Sequence, residues 1–467
     1  MRFSNAIVFS LVSVFVCDSA YGQSSRYELG LRVKRFERLF EKSVSDEAVR
    51  AKVLPSLEAA VTDFFTMRHA RASERLDKAT ALLAENEKCA ELLPLSLILE
   101  TRLLDKASRQ LSFVVKPVYR DFPNPKLRVS VALLSADGQP ARRVEFPLED
   151  GKAAFKFDAL PEGDYEIVCT AKLGVPIRQN VSVVYDVDAR LEAVAKKVKQ
   201  IESGGASPLA RCLKYRTTAI RQLQKGRTPE TDVPVYELLT ELESWAAAGR
   251  VKLAEGFAGK SSKPPSRMVL TARRKSLPCR LSFSRKALKT DQPLVIALHG
   301  AGGSENMFYE AYGAGKVVRL AQERDWTIVC PKISLFGLAL TTREMIESLK
   351  SIGLRVDEQN VFVVGHSMGA GTTIQLAGQP TPLRAIAVLG GGAQAKLSEE
   401  NKGLKSFIAA GDRDFGRAGA GMLAKGLKDA GASVEFRTYK NTEHLGIVQV
   451  ALDDVFKFFD SYLVGRK

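Results

Sequence analysis

The sequence contains few of the residues that build metal sites or disulfide frameworks. Its 467 residues include six cysteines and four histidines. No two cysteines form a Cys-x-x-Cys pair, so neither a dense disulfide framework nor a zinc site is indicated. Five cysteines remain when Cys17, which lies in a predicted export signal, is set aside. We expect them to be buried singly as small apolar side chains.

Long apolar runs and internal repeats are also missing. After the first 25 residues no stretch is long and apolar enough to cross a bilayer, so no integral membrane segment is expected. No repeat of roughly 40 to 50 residues is present, which argues against a β-propeller. The 69 Lys and Arg against 53 Asp and Glu give a formal net charge of +16. No basic motif interleaved with aromatic residues accompanies this charge, so we interpret it as solvated surface and linker and predict no nucleic-acid partner.

Residues 1–22 are typical of a cleavable export signal. A basic start at Met1-Arg2, an apolar run over 6–17 and small residues near the cleavage position follow in the expected order. A lipid attached to Cys17 is the alternative, but Val16 stands where a small residue would be required. The sequence therefore predicts a secreted or periplasmic protein.

The hydrophobic pattern divides the middle of the chain into four parts. Apolar residues at steps of three and four predict helical regions over 26–111 and 187–255. Alternating residues with turn signals such as Asp137-Gly138 predict an antiparallel β-sandwich over 112–186. A Gly-, Ser- and Pro-containing linker is expected over 256–266. We expect the two helical regions to pack together, with the sandwich inserted between them as a spacer.

Residues 267–467 have a different pattern. Runs of five or six apolar residues alternate with helical stretches, which indicates strands covered on both faces. The prediction is a mostly parallel sheet with helices on both faces. Two earlier amphipathic strands, at about 269–273 and 279–284, are expected to form an antiparallel edge.

One pentapeptide in this region has the form Gly-x-Ser-x-Gly. Gly365-His366-Ser367-Met368-Gly369 lies between a predicted strand at 361–364 and a predicted helix at 368–377. A nucleophile elbow requires this arrangement, because its sharp turn admits only small residues at both glycine positions. The alternative is an ordinary strand-to-helix turn in which Ser367 caps the helix.

A glycine-rich loop follows an earlier strand. His299-Gly300-Ala301-Gly302-Gly303 comes directly after the apolar run 293–298. Backbone N–H groups in such a loop can stabilise the oxyanion that forms during acyl transfer. We assign the oxyanion hole to the N–H groups of Met368 and Ala301, with Gly302 as the second choice.

Three residues are assigned to the substrate pocket. We expect His299 to hold the loop beside the pocket rather than to take part in the chemistry. The apolar loop 333–338, with Leu335 and Phe336, is predicted to line an acyl or aryl pocket. Alternatively, the side chains of this loop belong to the hydrophobic core.

The catalytic base can be chosen by elimination among the four histidines. His69 lies in the first helical region, His299 in the glycine-rich loop, and His366 next to the serine in the sharp turn. His444 remains, in the loop between the last strand and the final helix. This leaves His444 as the base that activates Ser367.

The carboxylate that orients this histidine is predicted to be Asp414. It follows the strand at about 406–410, and the order Ser367, Asp414, His444 is the one expected for this architecture. Asp412 is the competitor, and we interpret it as a residue that caps the turn.

Together these motifs resemble the α/β-hydrolase superfamily over residues of about 267–467. Within it the region is similar to exported carboxylesterases of the feruloyl- and acetyl-esterase kind and to the catalytic domain of prolyl-oligopeptidase-like enzymes. The resemblance implies neither a cofactor nor a metal. Only a short interval separates residue 389 from residue 406, which leaves no room for a cap domain there. We therefore expect an open site unless the amino-terminal region covers it.

The function predicted from the sequence is that of an exported serine esterase acting on a small-molecule or polymer-borne ester. A prolyl-oligopeptidase-like serine peptidase is one alternative, although no carboxylate pair for a peptide amine is recognisable. The other is a catalytically inert protein that binds a polymer or mediates adhesion.

Overall fold

A computed structural model shows how the chain folds. The residues it describes are 25–84, 93–119, 126–171, 175–205, 207–227, 230–248, 267–334 and 337–465. The predicted export signal and the predicted linker lie outside these ranges. Among the described residues, none of the helices has the length and apolar character needed to span a membrane.

The described chain begins with three helices, α1 (Ser25–Phe40), α2 (Glu47–Phe65) and α3 (His69–Leu83). We call them the amino-terminal helices. Asp46 caps α2 by accepting hydrogen bonds from two N–H groups of its first turn. Their buried apolar residues form one cluster, and Leu445 and Val450 of the carboxy-terminal region pack against it. The helices therefore lie against the part of the chain that carries His444.

Two smaller sheets follow the amino-terminal helices. Their strands are β1 (Leu95–Leu99), β2 (Leu103–Leu104), β3 (Gln110–Pro117), β4 (Arg128–Leu134), β5 (Pro140–Pro147), β6 (Lys152–Lys156), β7 (Gly163–Ala171) and β8 (Ile177–Val183). One sheet has the order β1-β3-β6 and the other β2-β8-β7-β4-β5, and their buried residues share one hydrophobic cluster.

The predicted boundary of this region was wrong. Strands begin at Leu95, whereas the sequence pattern predicted helix as far as residue 111. All five residues of β1 are buried, so this strand has no apolar–polar alternation. A short continuous apolar run does not distinguish a strand from a helix by its period.

Three more helices follow, α4 (Val187–Glu202), α5 (Pro208–Gln224) and α6 (Val235–Ala248). Their buried residues belong to the same cluster as one face of the large carboxy-terminal sheet. The amino-terminal helices have a separate hydrophobic cluster, and α1 contacts the segment before α6 through Arg26, which lies 3.8 Å from Glu230. The apolar stripe of a helix shows that it must be covered but not by which element.

The carboxy-terminal region is built on one large sheet. Its described strands are β9 (Arg267–Ala272), β10 (Lys275–Ser282), β11 (Gln292–Leu298), β12 (Thr327–Pro331), β13 (Val356–His366), β14 (Ala385–Leu389), β15 (Lys405–Gly411) and β16 (Ser433–Tyr439). Their order is β16-β15-β14-β13-β11-β12-β10-β9. Strands β11 to β16 are parallel, and β9 and β10 form an antiparallel edge. The predicted mostly parallel sheet and its antiparallel edge are confirmed.

Helices cover both faces of this sheet. They include α7 (Lys316–Gln322), α8 (Thr342–Ser351), α9 (Met368–Ala377), α10 (Arg417–Asp429) and α11 (Ile447–Ser461). Alternate residues of β11 belong to different clusters: Leu294 and Ile296 to one, Val295 and Ala297 to the other. Burial on both faces explains the continuous apolar runs.

The four cysteines within the described residues are all buried and free: Cys169, Cys212, Cys279 and Cys330. This confirms for these four residues the expectation that they act as small apolar side chains. Burial also raises the pKa of the Cys169 and Cys330 thiols to about 12, so neither is a reactive thiolate.

Candidate active site

Ser367 lies in the sharp turn between β13 and α9. Its backbone has φ 54° and ψ −112°, a conformation that few residues other than glycine adopt. A Cβ added to Gly365 would lie 2.2 Å from the carbonyl oxygen of Gly369. A Cβ added to Gly369 would lie 2.0 Å from that of Leu298 on the neighbouring strand. Both glycines of the motif are therefore required by close backbone approach, as expected for a nucleophile elbow.

Three predicted residues, distant in the sequence, meet at this turn. The Ser367 Oγ lies 2.9 Å from the Nε2 of His444, and the His444 Nδ1 lies 2.8 Å from an Oδ of Asp414. The Asp414 carboxylate also accepts a hydrogen bond from the Gly416 N–H at 2.7 Å. The side chain of Asp414 is fully buried and that of His444 is 6% exposed. The carboxylate thus holds the imidazole with Nε2 directed at the serine hydroxyl.

The order of the strands, the sharp turn at Ser367 and the contact between Ser367 and His444 together identify the fold of this region. The carboxy-terminal region has an α/β-hydrolase fold. Ser367 follows β13, the fifth strand of this sheet in the sequence, and His444 follows β16, the last one.

Comparisons with known proteins give similarities to solved structures at low sequence identity. No family model matches the chain, and no curated protein matches it in sequence. Among solved structures, an S-formylglutathione hydrolase from Agrobacterium tumefaciens is similar at 15% identity, covering 43% of this chain and 96% of that one, with a TM-score of 0.35. A ferulic acid esterase is similar at 15% identity, covering 42% and 97%, with a TM-score of 0.35. An esterase from Rhizomucor miehei has 15% identity, covering 45% and 88%, with a TM-score of 0.33.

Asp412, the competing carboxylate, occupies a different position in the α/β-hydrolase region. Its side chain accepts a hydrogen bond from the Thr442 N–H at 3.3 Å, and its own N–H bonds the Tyr439 carbonyl at 2.9 Å. It therefore ties the turn after β15 to the loop that carries His444. This agrees with its interpretation as a turn residue.

The glycine-rich loop lies beside the nucleophile. A Cβ added to Gly300 would lie 3.3 Å from the Cβ of Ser367, and Ala301 and Gly302 line the cavity above the serine. Met368 is the first residue of α9, where N–H groups have no acceptor within the helix. The predicted donors Ala301 and Met368 therefore flank Ser367. Gly302, the second choice, has φ 76° and packs against the ring of Phe64.

The residues assigned to the substrate pocket are placed differently from one another. His299 is buried within the loop and is absent from the cavity lining. Its Nδ1–H donates to the Gly300 carbonyl at 2.8 Å, and its Nε2 accepts from the Ile333 N–H at 3.0 Å. Burial lowers the pKa of His299 to about 4, so it holds the loop as a neutral ring. Leu335 and Phe336 lie outside the described residues.

His366, which elimination left without a role, belongs to a buried hydrogen-bond chain. Its Nε2–H donates to the carbonyl oxygen of His444 at 2.7 Å, and its Nδ1 accepts from the Tyr312 hydroxyl at 2.9 Å. Burial lowers the pKa of His366 to about 3, which keeps the ring neutral and able to accept from Tyr312. The backbone of the predicted base is therefore held by the residue next to the predicted nucleophile.

The amino-terminal helices form the roof of this site. A cavity of about 140 Å³ lies between them and the elbow. Its lining comprises Arg26, Leu29, Gly30, Val33, Ala60, Val61, Phe64, Phe65, Ala72, Leu76, Glu230, Gly300, Ala301, Gly302, Gly303, Met307, Tyr312, His366, Ser367, His444 and Leu445. The site is thus covered by the amino-terminal region, which the sequence analysis had left as the only possible cover.

Polar contacts fix α1 against the α/β-hydrolase region. Lys34 pairs with Glu310 at 3.2 Å. The fully buried Glu37 accepts from the Gly313 N–H at 3.0 Å, and its carbonyl accepts from the Gln449 amide at 3.0 Å. Burial raises the pKa of Glu37 to about 8. These contacts position the roof directly over the loop that follows β11.

Aromatic residues that the sequence analysis missed surround His444. The Phe415 ring centroid lies 4.0 Å from that of His444, and the Phe65 centroid lies 6.2 Å from it. Both phenylalanines are exposed, Phe415 at 64% and Phe65 at 38%. Phe415 could have been found, because it directly follows the predicted Asp414. Phe65 gives no such signal, because it lies 350 positions before Phe415 and 379 positions before His444.

Proposed function

We propose that this chain hydrolyses carboxylic esters through an acyl-enzyme formed on Ser367. The observation that carries the proposal is the chain of contacts from the Ser367 Oγ to the His444 Nε2 at 2.9 Å and from the His444 Nδ1 to Asp414 at 2.8 Å. A serine hydroxyl is a weak nucleophile until an adjacent base accepts its proton. The contacts of His444 with Ser367 and Asp414 support these two roles.

The proposed reaction has two steps. His444 accepts the Ser367 proton as the Oγ attacks the ester carbonyl, and then gives that proton to the departing alcohol oxygen. The N–H groups of Ala301 and Met368 stabilise the oxyanion. Water, deprotonated by His444, then releases the acid and restores the hydroxyl. Asp414 stabilises the charged imidazole in both steps.

Replacement of Ser367 tests this proposal. Ser367→Ala is expected to abolish turnover of p-nitrophenyl acetate and labelling by a fluorophosphonate. Ser351→Ala, at an exposed serine at the end of α8, is the matched control and is expected to behave as the wild type. Turnover that is unchanged in Ser367→Ala would refute the assignment. Preference for aminoacyl amides over esters would favour the peptidase, and absence of labelling in the wild type would favour an inert protein.

Two features outside the active site complete the proposal. Residues 1–22 are proposed to direct export, and amino-terminal sequencing of the exported protein is expected to find them removed. The two smaller sheets, β1 to β8, are proposed to form a β-sandwich module that acts as a spacer. A spacer is expected to show no retardation on polysaccharide-containing affinity gels.

A further inference from the structure

The cavity over Ser367 has walls of a distinct chemical character. On the roof side it is lined by apolar side chains of α1, α2 and α3, among them Leu29, Val61, Phe64 and Leu76. On the floor it meets the glycine-rich loop and the predicted nucleophile. An apolar group in this cavity would therefore be in contact with the amino-terminal helices while its attached carbonyl lies at Ser367.

The two charged residues of the lining already have partners. The Arg26 guanidinium donates to the Gly303 carbonyl at 3.1 Å and lies 3.8 Å from the Glu230 carboxylate. Glu230 also accepts hydrogen bonds from Ser304 and Asn306. A charged ligand would have to displace these contacts, so the lining favours a neutral apolar group.

The position of His444 indicates where the alcohol part and the acyl part of a bound ester would lie. The histidine protonates the leaving oxygen, so the alcohol lies on the His444 side. There the rings of Phe65 and Phe415 are exposed to solvent. The acyl side lies towards the oxyanion loop, where Phe64 packs against Gly302 below the roof. The enclosed part of the cavity is therefore on the acyl side.

The volume of the cavity limits the size of the apolar group that it can hold. Its volume is about 140 Å³, and an apolar cavity of about 150 Å³ is known to hold benzene. Resting on the proposed esterase function, we propose that the amino-terminal helices form an acyl-binding pocket for a neutral apolar group of about six carbon atoms. The substrate class is then esters of medium-chain or small aromatic acids rather than acetate or long-chain esters.

The length of the acyl chain provides the first measurement. Burial of one methylene corresponds to about a fourfold change in a rate or equilibrium constant. The kcat/KM of the full chain for p-nitrophenyl esters is therefore expected to rise on the order of 100-fold from acetate to hexanoate and to fall at decanoate. A profile that is flat, or highest at acetate, would overturn the proposal. Selectivity for the alcohol of hexyl acetate instead of the acyl chain would overturn it as well.

Variants of α2 test whether the roof sets this preference. Val61→Phe, which places a larger side chain in the cavity, is expected to lower the hexanoate-to-acetate ratio of kcat/KM at least tenfold. Phe64→Ala enlarges the cavity and is expected to move the optimum to longer chains. Val49→Phe is the matched control, because Val49 is a half-buried residue of the same helix that does not line the cavity. Equal profiles in all four proteins would refute a role for the helix.

Failure of this inference can be told apart from failure of the proposed function. If Ser367 is labelled by a fluorophosphonate and esters are cleaved without dependence on chain length, the esterase stands and the acyl pocket is wrong. If Ser367 is not labelled and no ester is cleaved, both are wrong.

Discussion

The hydroxyl of Tyr312 offers the sharpest test of how the site is held together. It lies 2.9 Å from the Nδ1 of His366, whose Nε2–H holds the His444 carbonyl at 2.7 Å. Tyr312→Phe removes this hydroxyl alone. The ring keeps its edge-to-face packing on Phe308, with centroids 5.0 Å apart. The variant therefore removes one hydrogen bond of the chain that ends at His444, together with the contact of the hydroxyl with the Gly300 backbone.

The expected magnitude follows from the burial of His366. Its Nδ1 would become a buried acceptor without a donor, which destabilises a protein by about 1–3 kcal/mol. The imidazole can avoid this by moving its proton to Nδ1, but then the bond to the His444 carbonyl is lost. In the first case the protein is less stable, and in the second His444 is held less firmly. Because small misplacements of catalytic groups are costly, kcat is expected to fall about 10- to 100-fold with little change in KM.

Two measurements on matched variants separate positioning from stability. Urea unfolding gives the free energy of unfolding, and p-nitrophenyl ester hydrolysis gives kcat and KM. Tyr165→Phe is the control, because its hydroxyl donates to the Pro161 carbonyl at 2.9 Å in the smaller sheets. It is expected to lower stability and leave kcat unchanged. If Tyr312→Phe is destabilised and also keeps the wild-type kcat, the positioning role is refuted.

Three further predictions concern the elbow, the carboxylate and pH. Gly369→Ala is expected to unfold or inactivate the protein, because its Cβ would lie 2.0 Å from a backbone oxygen. Gly371 lies on the same helix with open space around it, so Gly371→Ala is the control. Thermal unfolding is expected to show that Gly371→Ala stabilises the protein by about 0.5–1 kcal/mol. Asp414→Asn is expected to lower kcat about 10⁴-fold by favouring the wrong tautomer, and equal loss in Asp412→Asn would contradict the assignment. Glu37 has a folded-state pKa raised from 4.5 to about 8, so its contribution to stability is complete below pH 4.5 and is lost as the pH rises to 8. The free energy of unfolding is expected to fall by up to about 1.4 kcal/mol per pH unit over this interval, and an equal slope in Glu37→Gln would refute this origin.

The local sequence was sufficient to predict that Ser367, Asp414 and His444 lie close together. The elbow depends on two glycines whose neighbours, the Gly369 and Leu298 carbonyls, belong to the same turn and to the adjacent strand. Such a turn has one local solution, so its residues can be recognised in the sequence. Asp414 and His444 follow strands β15 and β16, and parallel strands bring their carboxyl ends to one edge of the sheet.

The same reasoning failed where the pattern was ambiguous. The apolar run Leu95–Leu99 is a strand although it was assigned to a helical region, since a fully buried strand has no alternation. The role of His366 was also missed. Its part in holding His444 depends on Tyr312, and nothing in the spacing of these residues in the sequence indicates their contact.

The sequence by itself determined the parallel sheet, the elbow and the order of the three residues at its edge, because strand periodicity and steric limits act over a few neighbouring positions. Only the tertiary structure decided that α1, α2 and α3 cover Ser367. Their apolar stripes required burial, but many surfaces of the chain could have supplied it. The choice was made by shape and by buried polar contacts such as that between Glu37 and Gly313, which join segments nearly 300 residues apart.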